Sequence, residues 1–401
     1  SNVPRLDYSN GDCPSLLLEP QSTNLEDYSE DLNQIYSKIR ITVATNAVSA
    51  PNGELTADGI IASVDANSHQ ANGYYPTSLS GTSDFTYSVF LKKGLSRYSI
   101  IQVTDDAANL SGVNNRYEWL FDLELGTYID ERQVTGNSSN THYKIENFGN
   151  DWYRCSVGIT KISGIARTDT SIIISRSSDI TQQSFTGDAS TVDTFIWGIQ
   201  LEQNSFSTSY IPTLTGTTQT RVAETCGGAL SSSSINNEEG VLYFEGSTLL
   251  NGGVNRYISL SDRTSSNRIQ LIFSNTANRI LVGGSGSIGG AFAAIQYDSY
   301  NQTDNNKVAF KYSSSGAKLF VNGLPVGSNT DNVSWLSGAF TSLDFALWNQ
   351  TSALFEGNVK DLRVYNTALS DEELIYLTGT LGEDYYDNYL EMSNNLNYTI
   401  Q

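Results

Sequence analysis

The chain has 401 residues, with 43 acidic against 23 basic side chains and a formal net charge of −20. The length suits two or three domains. The charge argues against nucleic-acid binding and against attraction to an anionic membrane surface, both of which need clustered Lys and Arg. Charged residues make up only 16% and aromatics 11%, with 23 Tyr and 5 Trp, so Ser, Thr, Asn and Gln supply most of the polarity. Tyr, Thr, Val and Ile suit half-buried strands and Asn, Gly and Ser suit turns, which predicts an all-β protein.

Residues 1–23 read as an irregular lead broken by Pro4, Pro14 and Pro20. Leu16, Leu17 and Leu18 within it need burial, either against the first sandwich or against a neighbouring chain. From residue 24 to 222 short strands alternate with turns. Phe85–Leu91, Ser99–Val103, Tyr117–Leu123 and Ser171–Ser175 are among the strands. The unit closes on Phe195-Ile196-Trp197-Gly198-Ile199-Gln200-Leu201-Glu202, read as a strand in strict alternation, and on a loop ending at Pro212. Residues 223–233 are small and polar and read as a linker.

A second β-rich unit is predicted over 234–380. Its strands include 240–245, 256–262, 267–273, 307–312, 318–323 and 357–365. Asn322-Gly323 signals a hairpin, and Ser370 with Glu373 three residues on signals a capped helix. Residues 381–401, with Tyr385, Tyr386, Tyr389 and Leu390, read as a short amphipathic helical tail that docks on its own chain or a partner.

Three cysteines, Cys13, Cys155 and Cys226, cannot all pair within one chain, and no CxxC spacing marks a zinc site. Cys155 reads as a small core residue. No run of about 20 apolar residues spans a membrane. The chain opens on Ser1 and its one Met is Met392, so an upstream segment is expected. His69 and His142 are the only histidines, which leaves little material for Ser-His-Asp or HExxH chemistry. Gly284-Ser285-Gly286-Ser287-Ile288-Gly289 fits GxGxxG but stands among strands and turns, so a glycine-rich loop is predicted. Trp119, Trp152 and Trp197 are expected in cores. Tyr74 and Tyr75 before Pro76, and Trp335, sit in turn-like contexts and are the candidate exposed aromatics for stacking on sugar rings.

Several phrases in residues 2–222 resemble, in order, a module of bacteriophage tail and fibre proteins. They include Asn2-Val3-Pro4-Arg5-Leu6-Asp7-Tyr8, Phe85-Thr86-Tyr87-Ser88-Val89-Phe90-Leu91-Lys92, Gly149-Asn150-Asp151-Trp152-Tyr153-Arg154 and the closing run. That module looks like a jelly-roll carbohydrate-binding domain. Lys307–Tyr312, Leu319–Gly323 and Phe355–Ser370 resemble a concanavalin A-like (laminin G-like) lectin sandwich. The resemblance implies two antiparallel β-sandwich (jelly-roll) domains in series with a short C-terminal helical tail. It implies a non-enzymatic protein of the extracellular phage particle, a tail fibre or other surface component, that attaches to host-surface polysaccharide. It also implies contact with other virion proteins, a homotrimer, and no membrane insertion. No cofactor is required. Such lectin sandwiches often hold calcium, for which Asp262 and Asp344 are the candidate ligands. The rival readings are a virion joining or decorating protein that binds no sugar, and a polysaccharide depolymerase. Against the latter, no Glu-x-Asp-x-x-Glu strand occurs.

Overall fold

The computed structural model describes residues 4–8, 14–34, 37–76, 83–105, 115–135, 141–161, 167–228, 230, 235–290, 292, 294–349 and 351–379, with backbone alone at 74–76, 83, 105, 115, 135, 161 and 167. Strand accounts for 51% of the described residues and helix for 3%. All strand pairing is antiparallel among the described residues.

The chain opens with β1 (Arg5–Asp7) and β2 (Ser15–Leu18). A compact unit then spans Gln21–Val222. Its strands are β3 (Ser22–Asn24), β4 (Ser37–Ile39), β5 (Ile41–Val48), β6 (Ala57–Ala62), β7 (His69–Pro76), β8 (Ser83–Lys93), β9 (Tyr98–Asp105), β10 (Asn115–Asp122), β11 (Thr127–Thr135), β12 (His142–Asn147), β13 (Trp152–Lys161), β14 (Arg167–Ser175), β15 (Thr194–Glu202) and β16 (Gln219–Arg221). Two six-stranded sheets run β11-β10-β9-β14-β7-β4 and β12-β13-β8-β15-β6-β5. Period-two alternation gives each sheet an apolar face. Those faces meet in one core that includes Trp119, Phe121, Ile101 and Ile172 from one sheet and Phe85, Tyr87, Leu91 and Val157 from the other. Cys155 lies in this core, fully buried, as expected of it.

Strand β15 departs from the alternation its sequence suggests. A bulge falls between Trp197 and Gln200, and Gly198 takes φ +62° there, a conformation that costs other residues. Ile196 faces the main core before the bulge, and Ile199 and Leu201 face it after. Trp197 and Phe195 face the opposite side, where they pack with Phe90, Trp152 and Tyr210. Gln200 and Glu202 also point to that side, and the following loop satisfies them. The Gln200 amide oxygen accepts from Ile211 N (2.7 Å), and the Glu202 carboxylate accepts from Thr208 N (3.0 Å). Trp152 and Trp197 are both buried, as predicted.

The second unit combines Ser1–Pro20 with Ala223–Gln401. Its further strands are β17 (Gly240–Thr248), β18 (Arg256–Ser261), β19 (Arg268–Phe273), β20 (Ile280–Ser285), β21 (Ile295–Tyr297), β22 (Asn306–Ser313), β23 (Gly316–Val321), β24 (Leu324–Asn329), β25 (Ser342–Asp344) and β26 (Gly357–Tyr365). A seven-stranded sheet, β1-β2-β26-β17-β22-β23-β24, shares one core with a five-stranded sheet, β21-β20-β19-β18-β25. Asn322 (φ +48°) and Gly323 (φ +83°) turn β23 into β24, the left-handed pair that a two-residue hairpin requires. The helix α1 (Asp371–Thr378) has the expected capping box: Glu373 N donates to Ser370 Oγ (3.2 Å), and Ser370 N donates to Glu373 Oε2 (2.7 Å). Leu374 seats α1 on Val241, Tyr243, Ala309 and Phe320.

Three expectations need correction, and two fall outside the described residues. The lead is not irregular, because β1 pairs with β2 and β2 pairs with β26. Leu18 enters the core of the second sandwich with Leu16 packed against it, not the first sandwich or a neighbouring chain. The linker is shorter than its composition implies, since Cys226–Gly228 hydrogen-bonds along β25. The tail at 381–401 and Cys13 lie outside the described residues. The GxGxxG run is the end of β20 and a loop closed by a Ser287–Gly290 bridge, with no helix after it among the described residues.

Candidate functional site

Strand β25 is the edge of the five-stranded sheet, and its outer side builds a pocket. Residues 226–228 lie along it. Phe345 N donates to Cys226 O (2.9 Å), Gly228 N donates to Leu343 O (3.1 Å), and Gly227 bridges Asp344. The pocket of about 390 Å³ has Asp344, Phe345 and Ala346 at its base and Thr225, Gly227, Arg263 and Thr351 at its rim, with Cys226 and Leu354 completing the wall.

The charged members are held in place. Asp344 is almost fully buried, and its Oδ1 accepts from Gly228 N at 2.9 Å. Arg263 Nη2 stands 3.5 Å from the same oxygen and remains half-exposed. Arg263 has φ +63°, and Asp262 imposes that turn. Asp262 Oδ1 accepts from Thr264 N (2.8 Å) and Oγ1 (2.6 Å), and its Oδ2 accepts from Asn267 Nδ2 (2.8 Å). Such side-chain-to-backbone bonds are the usual way an Asp stabilises a turn. Burial pulls the Asp262 carboxyl upward, but these hydrogen bonds outweigh it and hold its pKa below the ordinary value. The Cys226 thiol is pushed up by burial and by the nearby Asp344 charge, so it is a poor nucleophile at neutral pH. The opposite rim is tied by Asn349 Oδ1, which accepts from Thr351 N (3.2 Å) and Ser352 Oγ (2.9 Å).

This arrangement offers a guanidinium donor and two threonine hydroxyls beside Leu354, with Asp344 buried behind Arg263. It can bind a polyhydroxylated ligand. Glycoside hydrolysis uses two carboxyl groups about 5–10 Å apart, whereas Asp344 is the one carboxylate among the described lining residues.

The sequence candidates fare unevenly. Trp335 is not exposed. It is fully buried, its Nε1 donates to Ser285 O (2.8 Å), and its ring packs on Phe292, Tyr312 and Phe340. The neighbouring Leu336 takes the outward position at 74% exposure. Tyr74 and Tyr75 lie on β7 opposite Asp169 and Thr168, not in a turn, and their side chains are outside the described residues. Asp262 and Asp344, the calcium candidates, both have partners within the chain. Asp262 is committed to its turn and Asp344 to Gly228 and Arg263. Calcium asks for six to eight oxygens, and no group of three or more His, Cys, Asp or Glu among the described residues could hold an ion. Of the pocket residues the sequence reading had named only Asp344 as a site candidate. Cys226 and Arg263 reach it from distant segments. The single local signal was Asp262-Arg263-Thr264, an Asp-led turn that presents its middle residue.

Residues 250–375 match the concanavalin A-like lectin/glucanases superfamily. No curated protein sequence matches the chain. Among solved structures, the chain is similar to the Ruminococcus gnavus IT-sialidase CBM40 bound to α2,3-sialyllactose, at 20% identity over 36% of this chain and 84% of that one, with TM-score 0.32. It is also similar to a leech intramolecular trans-sialidase, at 20% identity over 38% of this chain and 25% of that one, with TM-score 0.31. A heptameric SAP-like pentraxin from Limulus polyphemus is similar at 13% identity over 38% of this chain and 74% of that one, with TM-score 0.30. The superfamily match covers strands β18 to β26, and the antiparallel sandwich observed there is a concanavalin A-like fold.

Proposed function

We propose that this protein is a glycan-binding attachment component of a bacteriophage virion, and that its concanavalin A-like sandwich takes the sugar at the Asp344–Arg263 pocket. The observation that carries the sugar reading is this pocket, with Arg263 and two threonines at its rim, in the sandwich that matches a lectin superfamily. Arg263, held by the buried Asp344, donates to sugar hydroxyls, Thr225 and Thr351 exchange hydrogen bonds with them, and Leu354 meets the apolar ring face. The virion role rests on the likeness of residues 2–222 to tail and fibre modules. It carries with it an extracellular particle, host polysaccharide as the partner, contact with other virion proteins and a homotrimer.

A glycan array with the full chain tests the sugar reading. Retention on host-surface glycans, lost in Arg263→Ala and in Asp344→Asn while both variants keep the melting temperature, is the expected result. No retention on any glycan would favour a purely structural virion part. Reducing-sugar release from host capsule would make the protein a depolymerase. Light scattering reads the trimer, and a monomer at micromolar concentration rejects it.

A further inference from the structure

The outer face of the sheet β11-β10-β9-β14-β7-β4 has two different halves. Ile100, Leu120 and Ile173 form an apolar row covered by Ile180. The next two rows are polar. Strand register aligns Ser171, Gln102, Glu118 and Arg132 in one, and Asp169, Thr104 and Arg116 in the other. At about 4.8 Å between strands, the four-residue row is roughly 14 Å long and the three-residue row roughly 10 Å, lengths that suit a short oligosaccharide.

Glu118 is the anomaly. It lies on the outer face of the sandwich, yet it is 0% exposed. Its carboxylate accepts from Arg116 Nη2 (2.7 Å), Arg132 Nε (2.6 Å) and Gln183 Nε2 (2.8 Å). Two guanidiniums thus share one carboxylate in a chain of net charge −20. Both arginines stay about one-third exposed. Arg116 Nη1 and both terminal nitrogens of Arg132 take no hydrogen bond among the described residues. Glu118 therefore holds two cationic forks in fixed positions with donors left over. Beside them Gln102 donates to Thr104 Oγ1 (3.1 Å), and Asp169 and Ser171 add oxygen acceptors.

We propose that this strip is a second binding site, in the Gln21–Val222 unit, for a carboxylate-bearing glycan. The guanidiniums of Arg116 and Arg132 receive the sugar carboxylate, for which a planar fork is the matching donor. Gln102, Thr104, Ser171 and Asp169 exchange hydrogen bonds with ring hydroxyls. Two adjacent guanidiniums suit one carboxylate per bound sugar, whereas a polyphosphate backbone needs several cations in series. Asp179, which senses Arg132, sets an acidic edge that disfavours polyanions.

Titration calorimetry of the full chain tests the proposal. The ligands are trigalacturonate, sialyllactose as the alternative source of the carboxylate, and the carboxyl-reduced form of each. At least one carboxylated glycan is expected to bind, with its reduced form silent and binding weakening as salt rises. Arg116→Gln and Arg132→Gln should each weaken it by about tenfold or more, the loss of one charge-assisted bond. Each variant leaves Glu118 the other guanidinium and Gln183, and unchanged melting checks the fold. Arg132→Lys keeps the charge without the fork and should weaken binding too. Asp344→Asn should leave this binding intact, which separates the strip from the lectin-like pocket. The proposal is overturned by silence toward both carboxylated glycans, by equal binding of the reduced forms, by arginine variants that bind as the parent does, or by a single-stranded oligonucleotide that binds as tightly.

Discussion

Trp335 and His142 show how a residue's partners fix its role. The indole of Trp335 has an N–H acceptor and three aromatic neighbours, so the ring is committed to the core. Trp335→Ala should cost about 3–5 kcal/mol, read by chemical denaturation, and a stable variant defective only in glycan binding would reverse this assignment. At His142, Thr86 gives its hydroxyl proton to Asn204 O (2.8 Å), so its oxygen must accept from His142 Nε2 at 3.0 Å. That bond requires a protonated Nε2 in the neutral ring. Burial lowers the His142 pKa below 6.5 against an opposing pull from Asp84, and burial lowers that of His69 too. The folded state thus resists protonation that the unfolded chain accepts. Stability should hold above the ordinary histidine value of 6.5 and fall as pH drops below it, down to the lowered folded pKa values. The carboxyls held low, such as Asp122 and Asp371, lose their contribution only in more acid solution. Melting temperature against pH reads the window, and His142→Gln should flatten part of the slope. An unchanged slope in that variant would assign the effect elsewhere.

Among elements, β15 shows what a sequence pattern can and cannot carry. Its strand character was legible because apolar residues dominate it. The bulge was not, because strict alternation and a bulged strand share the same composition, and only the packing of Ile196, Ile199 and Leu201 into one core distinguishes them. Gly198 is the residue that permits the bulge. A Cβ there would meet the Phe90 ring at 2.9 Å and Tyr210 at 3.4 Å in a left-handed conformation. Gly198→Ala should therefore cost more than the ~1–2 kcal/mol of left-handed backbone alone, and a variant as stable as the parent in urea would contradict the bulge. The hairpin at Asn322-Gly323 and the cap at Ser370 were readable because turn and cap chemistry is local. The pocket was not, since Cys226, Arg263 and Asp344 meet only through pairing of distant segments. Trp335 misled for a related reason: a turn-like context does not say which neighbour, Trp335 or Leu336, faces inward.

In the whole molecule, the first sandwich is an insertion in the second. The chain adds β1 and β2 to the seven-stranded sheet, leaves at Pro20, and returns at Ala223. Both crossings are fastened. Within the Gln21–Val222 unit, β3 pairs with β16, which sets Ser22 against Arg221. Within the other unit, Glu19 N donates to a Glu224 carboxylate oxygen (2.8 Å), Glu224 N donates to Glu19 O (3.0 Å), and Arg5 bridges both carboxylates. Local sequence could not reveal this, because β2 finds β26 more than 300 residues away. Ends that already touch are what an inserted domain requires of its host. Joining Pro20 to Ala223 through a short glycine linker, with 21–222 removed, should therefore leave a folded sandwich with cooperative melting. Starting the chain at Ala223 instead removes β1 and β2, uncovers one edge of β26 and takes Leu18 out of the core. Losing a buried leucine typically costs about 2–5 kcal/mol, so this truncation should melt well below the joined form. Equal melting of the two would mean that the lead adds nothing to the sandwich, and failure of the joined form to fold would mean that the inserted unit is needed to complete it.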